Sequence, residues 1–242
     1  MQLKTRHQEM LALAVFLALA TIVVEIWPRL DIAVSAHFFN GQSFVGHQWA
    51  WANLVFHGVP PLGAWVLGVA AVMAVLPLLP GRWGRRLVKP WLQRRAIVSL
   101  LVVVFGVGLL VHSALKDNWG RPRPEDVQPF GGPKIYQAPL QPSTQCARNC
   151  SFVSGHPAAG FALIGLGLFG TRRTRWRWWA IGTFTGAVIG LARVAQGRHF
   201  FADVVFCMLA LWLVCVLLRE LWLRAAVAQR AFKRQKARTL QA

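Results

Sequence analysis

The sequence predicts an all-α, polytopic membrane protein, a six-transmembrane-helix bundle, on three observations. Hydrophobic residues make up 55% of the 242 and charged ones 14%, a balance foreign to soluble domains. Uncharged runs at 11–24, 61–79, 96–111, 158–171, 178–192 and 204–218 recur between polar or basic segments. The Lys and Arg residues behind a net charge of +19 fall in alternate connections rather than along one stripe.

A bilayer asks for roughly 17–25 residues per helix, so the shorter runs need their flanks to span. The first run carries no small-residue cleavage pattern before Pro28 and reads as a retained span. Residues 28–60 are broken by Pro28, Gly41, Gly46, Gly58 and Pro60 yet rich in aromatics, which predicts a short interfacial helix near Ala33–Phe39. The fourth run, 158–171, crosses only if its helix begins near Ser154 and runs toward Trp176. From Arg224 onward the basic tail reads as a helix continuing off the last span. The domain organisation expected is a membrane domain over 1–224, with its core at 10–218, and a basic cytoplasmic tail over 225–242. No internal repeat is present.

Charge sets the orientation. Lys4 and Arg6 precede the first run, Arg82, Arg85, Arg86, Lys89, Arg94 and Arg95 separate the second and third, and Arg172, Arg173, Arg175 and Arg177 separate the fourth and fifth. Arg219, Arg224, Arg230, Lys233, Arg234, Lys236 and Arg238 follow the last run. The positive-inside rule puts these segments and both termini in the cytoplasm, and 29–57, 116–156 and 196–199 outside. For a bacterial host that means a multi-pass inner-membrane protein with its chemistry facing the periplasm. Such a charge in a soluble protein would suggest nucleic acid. At span ends it serves anionic lipid head groups instead, so membrane lipids are the partners expected and nucleic acid is not. Trp27, Trp49, Trp51, Trp83, Trp91, Trp176, Trp178 and Trp179 flank the runs as interfacial anchors. Oligomeric state is not readable from the sequence.

Cys146 and Cys150 lie in the long outer loop, where an oxidising compartment would let them form a disulfide; free thiols are the alternative. Cys207 and Cys215 read as small apolar residues of the last span. Neither the cysteines nor the eight carboxylates show metal-site spacing, so no metal and no cofactor is expected.

Three segments on the outer side concentrate groups suited to a phosphate ester. In Lys116-Asp-Asn-Trp-Gly-Arg-Pro-Arg123-Pro124, Lys116 supplies a compact charge and Arg123 a planar fork for two phosphate oxygens. In Ser151-Phe-Val-Ser154-Gly155-His156-Pro157, Pro157 fits a first helical turn, and the N–H groups around Ser154 and Gly155 can face an anion. His156 is placed there to donate a proton. In Arg193-Val-Ala-Gln-Gly-Arg-His199-Phe-Phe-Ala-Asp203, His199 and Asp203 are four apart and share a helix face if the sixth span starts by Arg198. Asp203 can then accept one imidazole N–H and leave the other nitrogen free to attack phosphorus. With carboxylates so few, phosphate would be neutralised by Lys116, Arg123 and Arg193. Glu25 and His112 are candidates for supporting positions, with packed boundary residues as the alternative.

These segments resemble the three signatures of the type 2 phosphatidic acid phosphatase superfamily of membrane lipid phosphatases: Lys116 with Arg123-Pro124, Ser154-Gly155-His156, and Arg193 with His199 and Asp203. The resemblance spans roughly residues 10–218 and implies an extracytoplasmic active site and a phosphohistidine intermediate. It implies that His199 attacks, Asp203 orients it, and His156 protonates the leaving oxygen and then activates water. Lys116, Arg123, Arg193 and the Ser154 and Gly155 amides would hold the phosphoryl oxygens. Val153 stands where the family often has Pro, and Ala192 where it often has Ser.

For the substrate, Phe130-Gly131-Gly132 and the Gln145–Gly155 stretch are similar to bacterial lipid A phosphatases of this superfamily. Undecaprenyl diphosphate and phosphatidylglycerophosphate phosphatases share the core, and transfer of phosphate to a second lipid is a further alternative. Arg121, Lys134 and Arg148 are candidates for meeting a multiply charged head group, or are solvated loop charges. A phosphate-binding transporter would call for paired broken helices or inverted repeats, which are not seen.

Overall fold

The computed structural model describes residues 2–80 and 83–239. Arg82 and residues 240–242 lie outside the described residues, as do the side chains of Lys4, Arg6, Lys233, Arg234, Lys236 and Arg238. The described chain is helical, and its only strand-like pairings are isolated bridges, Phe39 with Phe44 and Val127 with Lys134.

Among the described residues, five helices are long and apolar enough to cross a membrane. Helix α1 (Gln2–Ile26) ends at Trp27-Pro28, and α2 (Leu30–Ala36) is the short interfacial helix expected beyond it. Helix α3 (Ala50–Val75) begins well before the second apolar run. The expectation that residues up to 57 form an outer connection is therefore corrected: the helix continues through Pro60 and Pro61. A membrane-spanning helix tolerates such prolines because neighbouring groups take up the freed carbonyls.

Helix α4 (Trp83–Leu87) turns the chain into α5 (Pro90–Val102), which opens on Pro90, a residue that has no N–H to leave unpaired. Beyond Val102 the helix widens into a π-helical stretch, Val103–Lys116, closed by the Asp117 N–H donating five residues back to His112. Lys116 is thus the last residue of the third membrane helix rather than the first of the loop.

The fourth apolar run departs furthest from expectation. Helix α6 (Gly155–Phe161) passes into a 3-10 segment (Ala162–Gly167), and the chain turns at Thr171 before α7 (Arg172–Ala195). It does not run on to Trp176, because the Thr171 hydroxyl caps a new helix by accepting from the Thr174 N–H at 3.2 Å. This run is instead the core of the bundle, packing on α7 and α8 (Phe201–Thr239). A Cβ on Gly160 would sit 2.5 Å from the Gly186 nitrogen, so the α6–α7 crossing is backbone on backbone. Phe161 lies against Gly186, and Val102, Leu211 and Cys207 belong to the same buried core.

The two ends of the bundle differ in charge. Glu9 of α1 pairs with Arg175 of α7 and Arg219 of α8, which gathers the basic segments at one end. The second and third helices close that same end: Gln93 donates to the Ala74 carbonyl at 2.9 Å. Lys116, Ser151, Arg193, His199 and Asp203 gather at the other.

Candidate active site

The site forms where α5's extension, the 117–154 loop, the end of α7 and the start of α8 meet. The turn Gln196–Phe200 joins α7 to α8, and it is clamped to the loop carrying Arg123. The Glu125 N–H donates to the Gly197 carbonyl at 3.1 Å, and Arg198 pairs with the Glu125 carboxylate. Burial pushes the Glu125 carboxyl up while Arg198 pulls it down.

Helix α8 starts at Phe201, so His199 precedes it instead of sitting on it as expected. Asp203 explains that start: its Oδ2 accepts the Phe200 N–H at 2.8 Å, a capping bond that holds the first turn. The same carboxylate accepts from the Ser151 hydroxyl at 2.5 Å and from Arg121.

His199 is 1% exposed, and its Nδ1 lies 2.8 Å from the Ser151 carbonyl oxygen. A carbonyl only accepts, so Nδ1 carries the proton and Nε2 keeps its lone pair. The expectation that Asp203 accepts this proton directly is corrected: its Oδ2 stands 3.8 Å from Nδ1, beyond hydrogen-bond range. The carboxylate is already engaged by Ser151, Phe200 and Arg121, which draws it away from the ring. Ser151 links the two, with its carbonyl on His199 and its hydroxyl on Asp203. Burial, reinforced by the charges of Lys116 and Arg193 and opposed by Asp203, pushes His199 down to about 3. The imidazole is therefore neutral at neutral pH.

The cationic residues converge. Lys116 and Arg193 are each 5% exposed, and Lys116, Arg123 and Arg193 are close enough for their charges to repel. Arg123 donates to the Asn149 carbonyl at 2.9 Å, and burial and Arg198 pull it down from its ordinary range. Arg193 donates to the Gln196 amide oxygen at 2.5 Å, and Gln196 in turn donates to Asn53 of α3 at 3.1 Å. The Arg193 guanidinium lies over the Phe56 ring at 4.6 Å, and the same ring stacks on His156 at 5.6 Å. A Cβ on Gly155 would lie 3.0 Å from the His112 ring and 3.4 Å from the Lys116 ammonium, so both side chains press close on the main chain here. His112 therefore adjoins the site, whereas Glu25 is exposed on α1.

Ser154 Oγ, His156 Nε2 and Arg193 Nε are buried without a hydrogen-bond partner. Unsatisfied polar atoms at one place, beside three cations, fit an anion with several acceptor oxygens. The Ser154 N–H is not available for that purpose, because it donates to the Asp203 carbonyl at 3.2 Å. Cys146 and Cys150 are joined as a disulfide whose loop carries Asn149, the partner of Arg123. Among the described residues no group of His, Cys, Asp or Glu is arranged to hold a metal ion.

The expected head-group residues separate. Arg121 is fully buried and reaches no head group: its Nη2 lies 2.7 Å from Asp31 Oδ2, its Nη1 pairs with Asp203, and its guanidinium covers the Phe200 ring at 4.3 Å. Two carboxylates and two aromatic rings replace the water that the loop position suggested. Lys134 pairs with Asp126 at 3.1 Å, and Arg148 remains exposed near Asp117.

Asp31 was among the carboxylates counted from the sequence without a role. It is 2% exposed and also accepts the Ala202 N–H at 2.8 Å, tying α2 to the first turn of α8. Tyr136 completes the cluster, accepting from Arg121 at 3.3 Å and donating to the Pro28 carbonyl at 2.8 Å. Burial pushes its phenol up to about 12, so it stays protonated. Ser151, Asp31 and Phe56 carried no recognisable spacing; a lone carboxylate in an apolar outer segment was the one available signal.

Comparison with known proteins finds membrane phosphatases. A curated lipid A 4'-phosphatase of Francisella tularensis subsp. novicida is 37% identical over 191 residues, covering 78% of this chain and 84% of the relative. One from Rhizobium leguminosarum is 35% identical over 108 residues, covering 45% and 46%. A crystal structure described as the first transmembrane PAP2 type phosphatidylglycerolphosphate phosphatase, from Bacillus subtilis, matches the fold with a TM-score of 0.52. It covers 89% of this chain and 96% of its own at 21% identity. The family model of the PAP2 superfamily matches residues 96–225, which take in every signature residue from Lys116 to Asp203, and the chain belongs to that superfamily.

Proposed function

We propose that this chain is a lipid phosphatase that removes a phosphate from the head group of a bacterial envelope lipid, with lipid A as first candidate. The observation that carries the reading is His199, buried beside Lys116 and Arg193, with its Nδ1 proton committed to the Ser151 carbonyl. The lipid A 4'-phosphatase relatives support the substrate class.

His199 Nε2 attacks phosphorus, forming a P–N bond as the P–O bond to the lipid breaks, and His156, which takes up a proton when the phosphate's negative charge binds beside it, gives that proton to the departing oxygen. Water then attacks the phosphohistidine, losing a proton to His156, and orthophosphate leaves with Nε2 restored. Lys116, Arg123 and Arg193 neutralise the phosphoryl oxygens, joined by the Ser154 hydroxyl and the Gly155 main chain. Charge stabilisation of this kind asks for no metal or cofactor.

The short α6 segment would serve as a sixth span, with the site facing the periplasm and both termini in the cytoplasm of the inner membrane. Clustering of the basic segments at the opposite end supports that orientation. Residues 1–224 would form the phosphatase domain and 225–242 a basic tail. Purified protein in detergent, with chelator present, is expected to release orthophosphate from lipid A faster than from undecaprenyl diphosphate or phosphatidylglycerophosphate. A different ranking would reassign the substrate. Phosphate appearing only on an added acceptor lipid would make the enzyme a transferase.

A further inference from the structure

A cavity lies at the opposite end of the bundle from His199. Along helix α7, Arg193 of the catalytic cradle lies 21 residues beyond Arg172 at its first position, about 32 Å at 1.5 Å each. Around Arg172 and Arg175, helices α1, α7 and α8 and the 3-10 segment enclose a cavity of about 260 Å³.

Its wall is aromatic. Trp176, Trp179, Trp212 and Phe16 run in succession, with ring centroids 5.4, 6.0 and 5.8 Å apart. Its rim is cationic, formed by Arg172, Arg175 and Arg219 with one carboxylate, Glu9. Glu9 pairs with both Arg175 and Arg219. Among the described residues no carboxylate pairs with Arg172, which is exposed at the mouth.

We infer that this cavity is a binding site for one anionic diacyl phospholipid of the leaflet at the end where the chain termini lie, distinct from the site of phosphate cleavage. The volume falls below the roughly 300–1,000 Å³ that encloses a whole small ligand, which suits part of one acyl chain. The phosphate of the head group then meets Arg172 at the rim. Charge complementarity selects the occupant: one carboxylate against three guanidiniums leaves the rim positive, so an anionic head group is favoured over a zwitterionic one. Because Glu9, Arg175 and Arg219 join α1, α7 and α8, an occupant here braces the helices that carry Arg193 and Asp203.

The test is native mass spectrometry of the full-length protein in mild detergent, offered equal amounts of phosphatidylglycerol and phosphatidylcholine with matched chains. One phosphatidylglycerol should be retained in preference to phosphatidylcholine by about fivefold, as one arginine near a lipid surface provides. Arg172→Gln should bring the two to parity, and Trp176→Ala should lower retention of both. Arg173→Gln, exposed on the same turn but outside the cavity, should change nothing. Equal retention of the two lipids by the wild type would overturn the inference. So would an Arg173→Gln effect as large as that of Arg172→Gln, which would mean a general basic coat. Orthovanadate, a phosphate mimic expected at the catalytic cradle, should leave the preference intact, and displacement by it would assign the lipid to that cradle and refute a second site.

Discussion

The His199 imidazole donates its Nδ1 proton to the Ser151 main-chain carbonyl at 2.8 Å. A main-chain acceptor cannot be removed by changing a side chain, so the tautomer with a bare Nε2 is built into the loop. Ser151→Ala should keep that tautomer and lose only the hydroxyl bond to Asp203. A hydrogen bond to a charged group is worth about 1.5–3 kcal/mol, which predicts a fall in kcat of roughly ten- to a hundredfold with little change in KM. A loss as complete as that of His199→Ala would mean that the hydroxyl itself takes part in the chemistry.

Asp31 and Asp203 share one guanidinium, that of the fully buried Arg121. Removing one partner of a buried ionic cluster typically costs about 3–5 kcal/mol. Arg121→Ala should therefore lower the thermal unfolding midpoint in detergent markedly, by more than Lys134→Ala, whose pair with Asp126 is part-exposed. Asp31→Asn should fall between them, and because Asp31 also holds the Ala202 N–H it should reduce kcat as well. Equal midpoints for all three variants would contradict the proposed role of the cluster.

Arg193 is held by Gln196 and by the face of Phe56. Lysine offers neither the fork nor the flat stack, so Arg193→Lys should lose about a hundredfold in kcat/KM despite keeping the charge. Phe56→Leu should lose less, while affecting both Arg193 and His156. Full activity in Arg193→Lys would show that charge alone suffices.

Acid should not silence His199 at the usual imidazole pH. With its pKa pushed down to about 3, the neutral nucleophile persists as pH falls through 6.5, so the acid limb of kcat/KM should lie below about pH 5. The stability sign is that of a depressed histidine. The stabilising contribution is fully present above the ordinary value near 6.5 and is lost as pH falls toward the folded value. A half-loss of kcat/KM near pH 6.5 would contradict the burial described.

Reduction of the Cys146–Cys150 disulfide should cost about 2 kcal/mol for so short a loop and weaken substrate capture through Arg123, which rests on the Asn149 carbonyl inside it. The expected readout is a raised KM in reductant, reproduced by the Cys146→Ser, Cys150→Ser double variant. An unchanged KM would detach the loop from phosphate binding.

The membrane helices were legible because apolar runs and charge placement follow the bilayer directly. The fourth was not, since an apolar run does not show that its glycines let main chain pack directly on main chain, as Gly160 does on Gly186. Lys116, Ser154, Gly155, His156, Arg193, His199 and Asp203 were legible as a constellation because their spacings within each segment are short. The supporting residues were not. Arg121 meets Asp31 and Asp203 across separations of 90 and 82 residues, and nothing local tells a buried guanidinium from a solvated one. The Ser151 acceptor is invisible for another reason: a main-chain carbonyl has no sequence signature.

A phosphoenzyme trap decides whether His199 is the nucleophile. Protein mixed with lipid A carrying labelled phosphate, quenched in base within milliseconds and digested, should yield an acid-labile phosphoryl group on the peptide containing His199. The label should be absent from His199→Ala, which should also release no orthophosphate. Label on any other residue, or undiminished phosphate release by His199→Ala, would contradict the mechanism.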